Sequence, residues 1–138
     1  MTRAARLALV VALAASTATA SDRLAKVQNE STLDLTTIGR KSGKPHTKPV
    51  WFVVDGDQLW VQAGHDGKTD WYLNLKKTPE VKVRIRDERF TARAAPVDDP
   101  ATAKRVHELF RQKYTTAWLL SFIGSSIGAG RPVELTPE

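Results

Sequence analysis

The stretch "LTTIGRKSGKPHTKPVWFVVDG", residues 35–56, sets a burst of positive charge between two apolar runs. Arg40, Lys41, Lys44, His46 and Lys48 crowd around Gly39, Gly43 and Pro45, just before one of the most hydrophobic segments of the chain. Upstream, Thr32 to Ile38 alternates, with Leu33 and Leu35 on one side and threonines interleaved, which predicts a half-buried strand. "GRKSGKPH" is turn chemistry, and Pro45 argues against a regular ladder there because it has no N–H to donate. "PVWFVV" then resumes as a strand. Asp55-Gly56-Asp57 turns it into "QLWVQA", the Asp-Gly pair supplying the positive φ of a tight hairpin.

Further along, "GHDGKTD" is a second glycine-bearing loop, and it feeds a short helical segment, "WYLNLKKTP", with Asp70 as its cap and Pro79 as its stop. "EVKVRIRDERFTARAAPV" alternates cleanly: Val81, Val83 and Ile85 fall on one face, Lys82, Arg84 and Arg86 on the other, as in an antiparallel sheet with one wet face. Asp99 and Pro100 open the strongest helix, along which Ala103, Val106, Phe110 and Tyr114 recur at helical spacing. "AWLLSFIGSSIGAG" is an apolar patch ending in glycines, and "RPVELTP" reads as a closing strand. Five or six short strands with one substantial late helix predict a mainly β, α+β fold: a small antiparallel β-barrel with flanking helices.

A chain of 138 residues suits one domain with a real core. The N-terminus reads as a signal peptide over residues 1–20. It has a basic start, an apolar stretch from Leu7 to Ala15, and Ala18-Thr19-Ala20 as a small-x-small cleavage site. The apolar stretch falls short of the roughly 20 residues of a membrane span. On that reading residues 21–138 form the domain, which is exported to the periplasm or the exterior; a retained segment would leave the protein cytoplasmic or membrane-associated. Without residues 1–20 the formal charge drops from +6 to +4, a mild excess suited to an anionic small molecule or an acidic lipid surface. There is no cysteine, which excludes disulfides, thiolate metal sites and a cysteine nucleophile.

No Walker loop, Gly-x-Gly-x-x-Gly unit or His-Glu-x-x-His helix is present. His46, His65 and His107 do not sit at metal-ligand spacings, so no metal is expected. The Lys82, Arg84, Arg86 stripe lacks interleaved aromatics and reads as a solvated strand face, so nucleic acid is not expected as a partner. That leaves the basic loop. Backbone N–H groups freed by Gly39 and Gly43, the Ser42 hydroxyl and several cations make an anion cradle, because phosphate needs both donors and charge. The same residues also suit a solvated turn, and composition alone favours the turn.

The combination T-x-G-R-K-S-G over Thr37–Gly43, a proline six residues beyond Gly43, then W-Y-L-N-L and P-E-V, resembles the deazaflavin-dependent nitroreductase family. These are split-barrel oxidoreductases that use coenzyme F420. The similarity runs from about Leu33 to Val83. It implies that Arg40, Lys41, Ser42 and Gly43 hold the cofactor's phosphate and acidic tail, with Pro49, Val50 and Trp51 near the deazaflavin ring. It also implies that Trp71 and Asn74 close the pocket. His46 stands where the family has an arginine, and Gly64 and His65, after Ala63, stand where it shows a Ser-Lys pair. Both positions are carried over as cofactor contacts, with conditional rather than fixed charge, since histidine is mostly neutral near pH 7.

A bound flavin or deazaflavin carries the hydride itself, so no side-chain nucleophile is required and no catalytic side chain is assigned. The implied function is hydride transfer from F420 to a quinone, a nitro compound or a similar conjugated acceptor. FMN is the alternative cofactor. A non-enzymatic exported module of the same fold is the alternative role, holding a flavin, haem or lipid-like ligand, with "AWLLSFIG" as a docking patch for a membrane surface. Small split barrels commonly pair, so a homodimer is also expected.

Overall fold

The structure, a computed structural model, describes residues 19–114 and 130–138. Along the chain run α1 (Ala20–Val27), β1 (Leu33–Ile38), β2 (Pro45–Val50), β3 (Phe52–Asp55), β4 (Gln58–Ala63), a 3-10 turn (His65–Gly67), α2 (Asp70–Lys77), β5 (Glu80–Ile85), β6 (Glu88–Pro96), α3 (Pro100–Lys113) and β7 (Arg131–Pro137). The seven strands form one sheet in the order β2-β1-β5-β6-β7-β4-β3, and every neighbouring pair is antiparallel.

The two edges of that sheet are consecutive in the chain. Only Trp51 separates the end of β2 from the start of β3. Two residues that flank a single one lie within about 7.6 Å of each other, so the sheet must curl until its edges meet at Trp51. They diverge from there, which makes a half-barrel, mainly β with three flanking helices. Alternation decides which side chains face inward. Leu33, Leu35, Phe52, Leu59, Val61, Val81, Val83, Ile85, Val133 and Leu135 fill the concave side, with Leu24 and Val27 of α1 and Tyr72 and Leu75 of α2 packed among them. On the convex side of β3 and β4, Val53 and Trp60 are covered by Val106, Phe110 and Tyr114 of α3 and its cap.

Three expectations are corrected. "PVWFVV" is two strands rather than one, because the chain crosses from one sheet edge to the other at Trp51; this brings the count to seven. Pro45 begins β2 rather than breaking it, since β2 is an edge strand that tolerates a missing N–H. Asp70 is the first helical residue of α2 and Thr69 the N-cap. The β3–β4 hairpin, the alternation of β5 and the Asp99 cap of α3 stand as read, the last with Asp99 Oδ2 accepting from Thr102 N–H at 2.9 Å.

Helix α1 has no counterpart in the sequence reading. It is anchored by a capping box in which Thr19 and Asp22 exchange side-chain to backbone hydrogen bonds. Cleavage after Ala20 would remove that cap, a cost of about 1 kcal/mol. The proposed signal segment up to residue 18, and "AWLLSFIGSSIGAG" up to residue 129, lie outside the described residues. Among the described residues no helix is long and apolar enough to cross a membrane.

The junction at Trp51 is held from α3. The Tyr114 hydroxyl accepts from Phe52 N–H at 3.0 Å, and its single proton has two carbonyl acceptors, Ser31 O and Phe52 O, each at 2.8 Å. One phenol thus ties the segment entering β1 to the start of β3. Its ring stacks on Trp51 with centroids 4.5 Å apart and planes 5° from parallel. Lys113 Nζ donates to Phe52 O at 2.9 Å and lies 3.6 Å over the Phe52 ring. Burial pushes the Lys113 ammonium down to about 8 and the Tyr114 phenol up to about 12.

Two outcomes follow from this junction. Tyr114→Phe keeps the stack but orphans the buried Phe52 N–H, and should cost about 1–3 kcal/mol in urea denaturation. The unfolded chain keeps the Lys113 proton up to pH 10.5, whereas the folded chain releases it from about 8, so this group makes stability rise with pH through that window. Tyr114 acts in the opposite sense, but only above pH 10. Lys113→Met should flatten the rise between those two pH values in a denaturation series.

Candidate active-site cleft

The basic loop closes on itself before it meets anything else. Gly39 N–H donates to Lys44 O at 2.8 Å and Gly43 N–H to Gly39 O at 2.9 Å, with Gly43 in the left-handed region at φ 71°. A Cβ at Gly39 would stand 2.4 Å from Ser42 Oγ and 2.9 Å from His46 Nε2, so any side chain there would displace both. Ser42 Oγ accepts from Lys44 N–H at 3.2 Å and lies 3.3 Å from His46 Nε2.

Asn74 fixes this loop to the barrel. Its Oδ1 accepts from Arg40 N–H at 3.1 Å and from Arg40 Nη1 at 3.0 Å, while its Nδ2 donates to Thr37 Oγ1 at 3.2 Å. Asn74 and Thr37 are the buried polar side chains among the described residues, and each satisfies the other. Arg40 Nη2 reaches Asp70 Oδ1 at 3.2 Å, and Arg40 O accepts from Lys77 Nζ at 2.9 Å. Arg40 is therefore a strut between the loop and α2 with one edge at the surface.

Between the loop, β2 and α2 lies a cleft of about 570 Å³. Arg40, Lys41, Ser42, His46, Trp71 and Asn74 of the predicted residues line it. Thr37, Gly39, Lys48, Thr69 and Asp70 line it too, without having been predicted. Lys48 was legible, because it shares a strand face with His46; Thr69 and Asp70 needed the fold. Gly43 serves the turn rather than the wall. Pro49, Val50, Trp51, Ala63, Gly64 and His65 do not line the cleft. Val50 and Ala63 are buried in the core, Trp51 stacks on Tyr114 with 37% of its surface exposed, and Gly64 and His65 are exposed after β4.

The cleft carries a clear charge bias. Three of its lining residues are fixed cations, Arg40, Lys41 and Lys48, and the carboxylate among the lining residues is Asp70, on the rim with 84% of its side chain exposed. Among the described residues no carboxylate pairs with Lys41, Lys44 or Lys48. The buried Thr69 Oγ1 at the cleft wall has no hydrogen-bond partner among them. Free cations and a hydroxyl without a partner among the described residues suit an anion with several acceptor oxygens. No cluster of three or more His, Cys, Asp or Glu could hold a metal among the described residues.

The family model for F420H(2)-dependent quinone reductases matches residues 9–118, which include every residue of this cleft. The chain belongs to that family. This is the deazaflavin-dependent group that the loop motif resembles. A curated relative, the F420H(2)-dependent quinone reductase of Mycobacterium tuberculosis (strain H37Rv), is 34% identical over 89 residues, covering 59% of this chain and 60% of the relative. The chain thus aligns to under two thirds of that relative's length. Among solved structures, an F420-H2 dependent reductase superposes with a TM-score of 0.59 at 20% identity, over 77% of this chain and 94% of its own. A conserved hypothetical protein from Mycobacterium tuberculosis superposes with a TM-score of 0.67 at 21% identity, over 90% of this chain and 84% of its own. At those identities the two structures establish the split-barrel fold.

Two substitutions separate the roles within the cleft. Asn74→Leu should orphan the Thr37 hydroxyl and the Arg40 N–H, at about 1–3 kcal/mol each, and show as a lower urea midpoint. Asp70→Asn should move stability by less than about 1 kcal/mol, because the pair is exposed, yet strengthen anion binding in a titration by removing the cleft's carboxylate.

Proposed function

We propose that this chain is an F420H2-dependent oxidoreductase that reduces a quinone, with nitro compounds as a further acceptor class. The cationic cleft would hold the phosphate and acidic tail of the cofactor. The observation that carries this reading is the pair of unneutralised lysines, Lys41 and Lys48, beside an Arg40 already locked in place by Asn74. Preorganised charge of this kind binds an anion without first having to order itself.

The bound deazaflavin supplies the hydride, so the protein needs no nucleophile of its own. What these residues do is bind and orient. Asn74 holds the loop backbone, which presents the Gly39 to Ser42 segment to the cleft. Arg40 and Lys41 bring charge from the loop and Lys48 from β2, and Thr69 offers a hydroxyl with no partner among the described residues. Trp51, with its plane set by Tyr114 at the point where the barrel edges meet, is the exposed aromatic on which a flat conjugated ring can lie. His46 stands beside Ser42 at the cleft and adds a donor whose charge depends on pH.

Export belongs to the same proposal and rests on the basic, apolar and small-residue order of residues 1–20. Intact-mass measurement of secreted material should then give a chain beginning at Ser21; an unprocessed chain found only inside the cell overturns it.

Fluorescence titration with F420 and separately with FMN tests the binding. Saturable binding of F420, with quinone-dependent oxidation of its reduced form, is the expected result. Binding of neither cofactor overturns the reading, and binding without turnover leaves a ligand-holding module in its place. Lys41→Ala with Lys48→Ala should weaken F420 binding most at low salt, where the contact to phosphate is least screened.

A further inference from the structure

The convex side of the sheet carries a second opening, on the half that α3 does not cover. It is a groove of about 500 Å³ whose walls are all strand residues, from β1, β2, β5 and β6. Register places its polar side chains in two rows. Thr47, Thr36, Lys82 and Thr91 lie side by side across the four strands. Two residues along, Asp34, Arg84 and Arg89 do the same.

The second row sets like charges against each other across the sheet. Arg84 and Arg89 sit directly opposite each other on neighbouring antiparallel strands, where like charges are destabilising. One carboxylate serves the pair, and it is engaged: Asp34 Oδ2 accepts from Arg84 Nε at 3.2 Å and again from Arg84 Nη2. Arg23, Arg40, Arg86, Arg105 and Arg111 each pair with a carboxylate, Arg23 sharing Glu88 with Lys26, and Arg93 lies in the field of the Glu138 carboxylate. Among the described residues the guanidinium of Arg89 and the ammonium of Lys82 have none.

A sheet face that only needs to be wet has no reason to hold an in-register pair of arginines with a lysine beside them. Uncompensated breaks of a local rule collect where a ligand supplies the compensation. We propose that this groove is a second anion site, separate from the cofactor cleft, that takes a phosphate group. Two free cations supply charge and Arg84 adds a guanidinium already oriented by Asp34. Thr36 and Thr47 share one hydrogen bond at 2.7 Å, which leaves one of their two protons, with the Thr91 hydroxyl, to donate to further oxygens. A phosphate has enough acceptor oxygens to use all of these together, which a single carboxylate does not. The phosphate could belong to a soluble ester or to a lipid headgroup; the chemistry is shared. The site does not depend on the redox reading.

The test is an amide NMR titration of the full chain with inorganic phosphate, against chloride at matched ionic strength. Alongside it runs cosedimentation with phosphatidylcholine vesicles that contain or lack phosphatidylglycerol. Saturable shifts at Lys82, Arg84, Arg89 and Thr91 support a site for soluble phosphate; sedimentation with the anionic vesicles alone supports a headgroup site. In either case K82A with R89A should weaken the interaction by about tenfold or more, while K41A with K48A leaves it in place. Both altered side chains are exposed, so the fold should survive, as far-UV circular dichroism would verify. Absence of both responses, or responses that K82A with R89A does not change, overturns the proposal.

Discussion

One buried amide organises the cleft side of this protein. Asn74 comes from α2, yet its two polar atoms are spent on β1 and on the loop that follows it. A polar group placed in an apolar interior must be satisfied, and here that requirement is met by only one arrangement of three segments. The same contacts that keep Asn74 from being a liability also set the position of Arg40. The loop is tight, and a side chain at Gly39 would collide with Ser42 and His46. The backbone from Gly39 to Lys44 and the Arg40 guanidinium are therefore fixed, and Lys41 and Lys48 stand at the cleft without a carboxylate partner among the described residues.

The opposite end of the sheet is ruled by a different constraint. Moving from one edge of a seven-stranded sheet to the other within a single residue is possible only if the sheet curls. A curl left to itself would expose the ends of two edge strands. Tyr114 and Lys113 prevent this by supplying partners for Phe52 N–H and Phe52 O from outside the sheet. The half-buried ammonium gives up part of its hydration to do so, and both the carbonyl and the Phe52 ring offset that loss.

Charge is distributed unevenly over this frame. On the α3 side, Arg105 pairs with Asp55 and Gln58 bonds to Glu134, so the sheet there is electrostatically closed. Around β1 and β2 it is open on both faces: Lys41 and Lys48 at the cleft, Lys82 and Arg89 at the groove. Self-repulsion of that kind costs stability, and a fold keeps it where an anion is to be met.

The sequence by itself determined the local chemistry. Alternation in β1 and β5, the Asp-Gly turn, the capped α3 and the glycine-broken cationic loop were all legible, because each depends on residues a few positions apart. So, through the motif of that loop, was the family. What only the tertiary structure decided were relations between distant segments. That β2 and β3 lie at opposite edges depends on the curl of the whole sheet, which no local pattern encodes. Asn74 looked like one more pocket residue until β1 and the loop were brought against it, and Tyr114 read as one more apolar position on a helix until its hydroxyl was seen to join Ser31 to Phe52. The Arg84 and Arg89 opposition is likewise invisible in a one-dimensional pattern, because register is set by how strands pair and not by the order in which they are written.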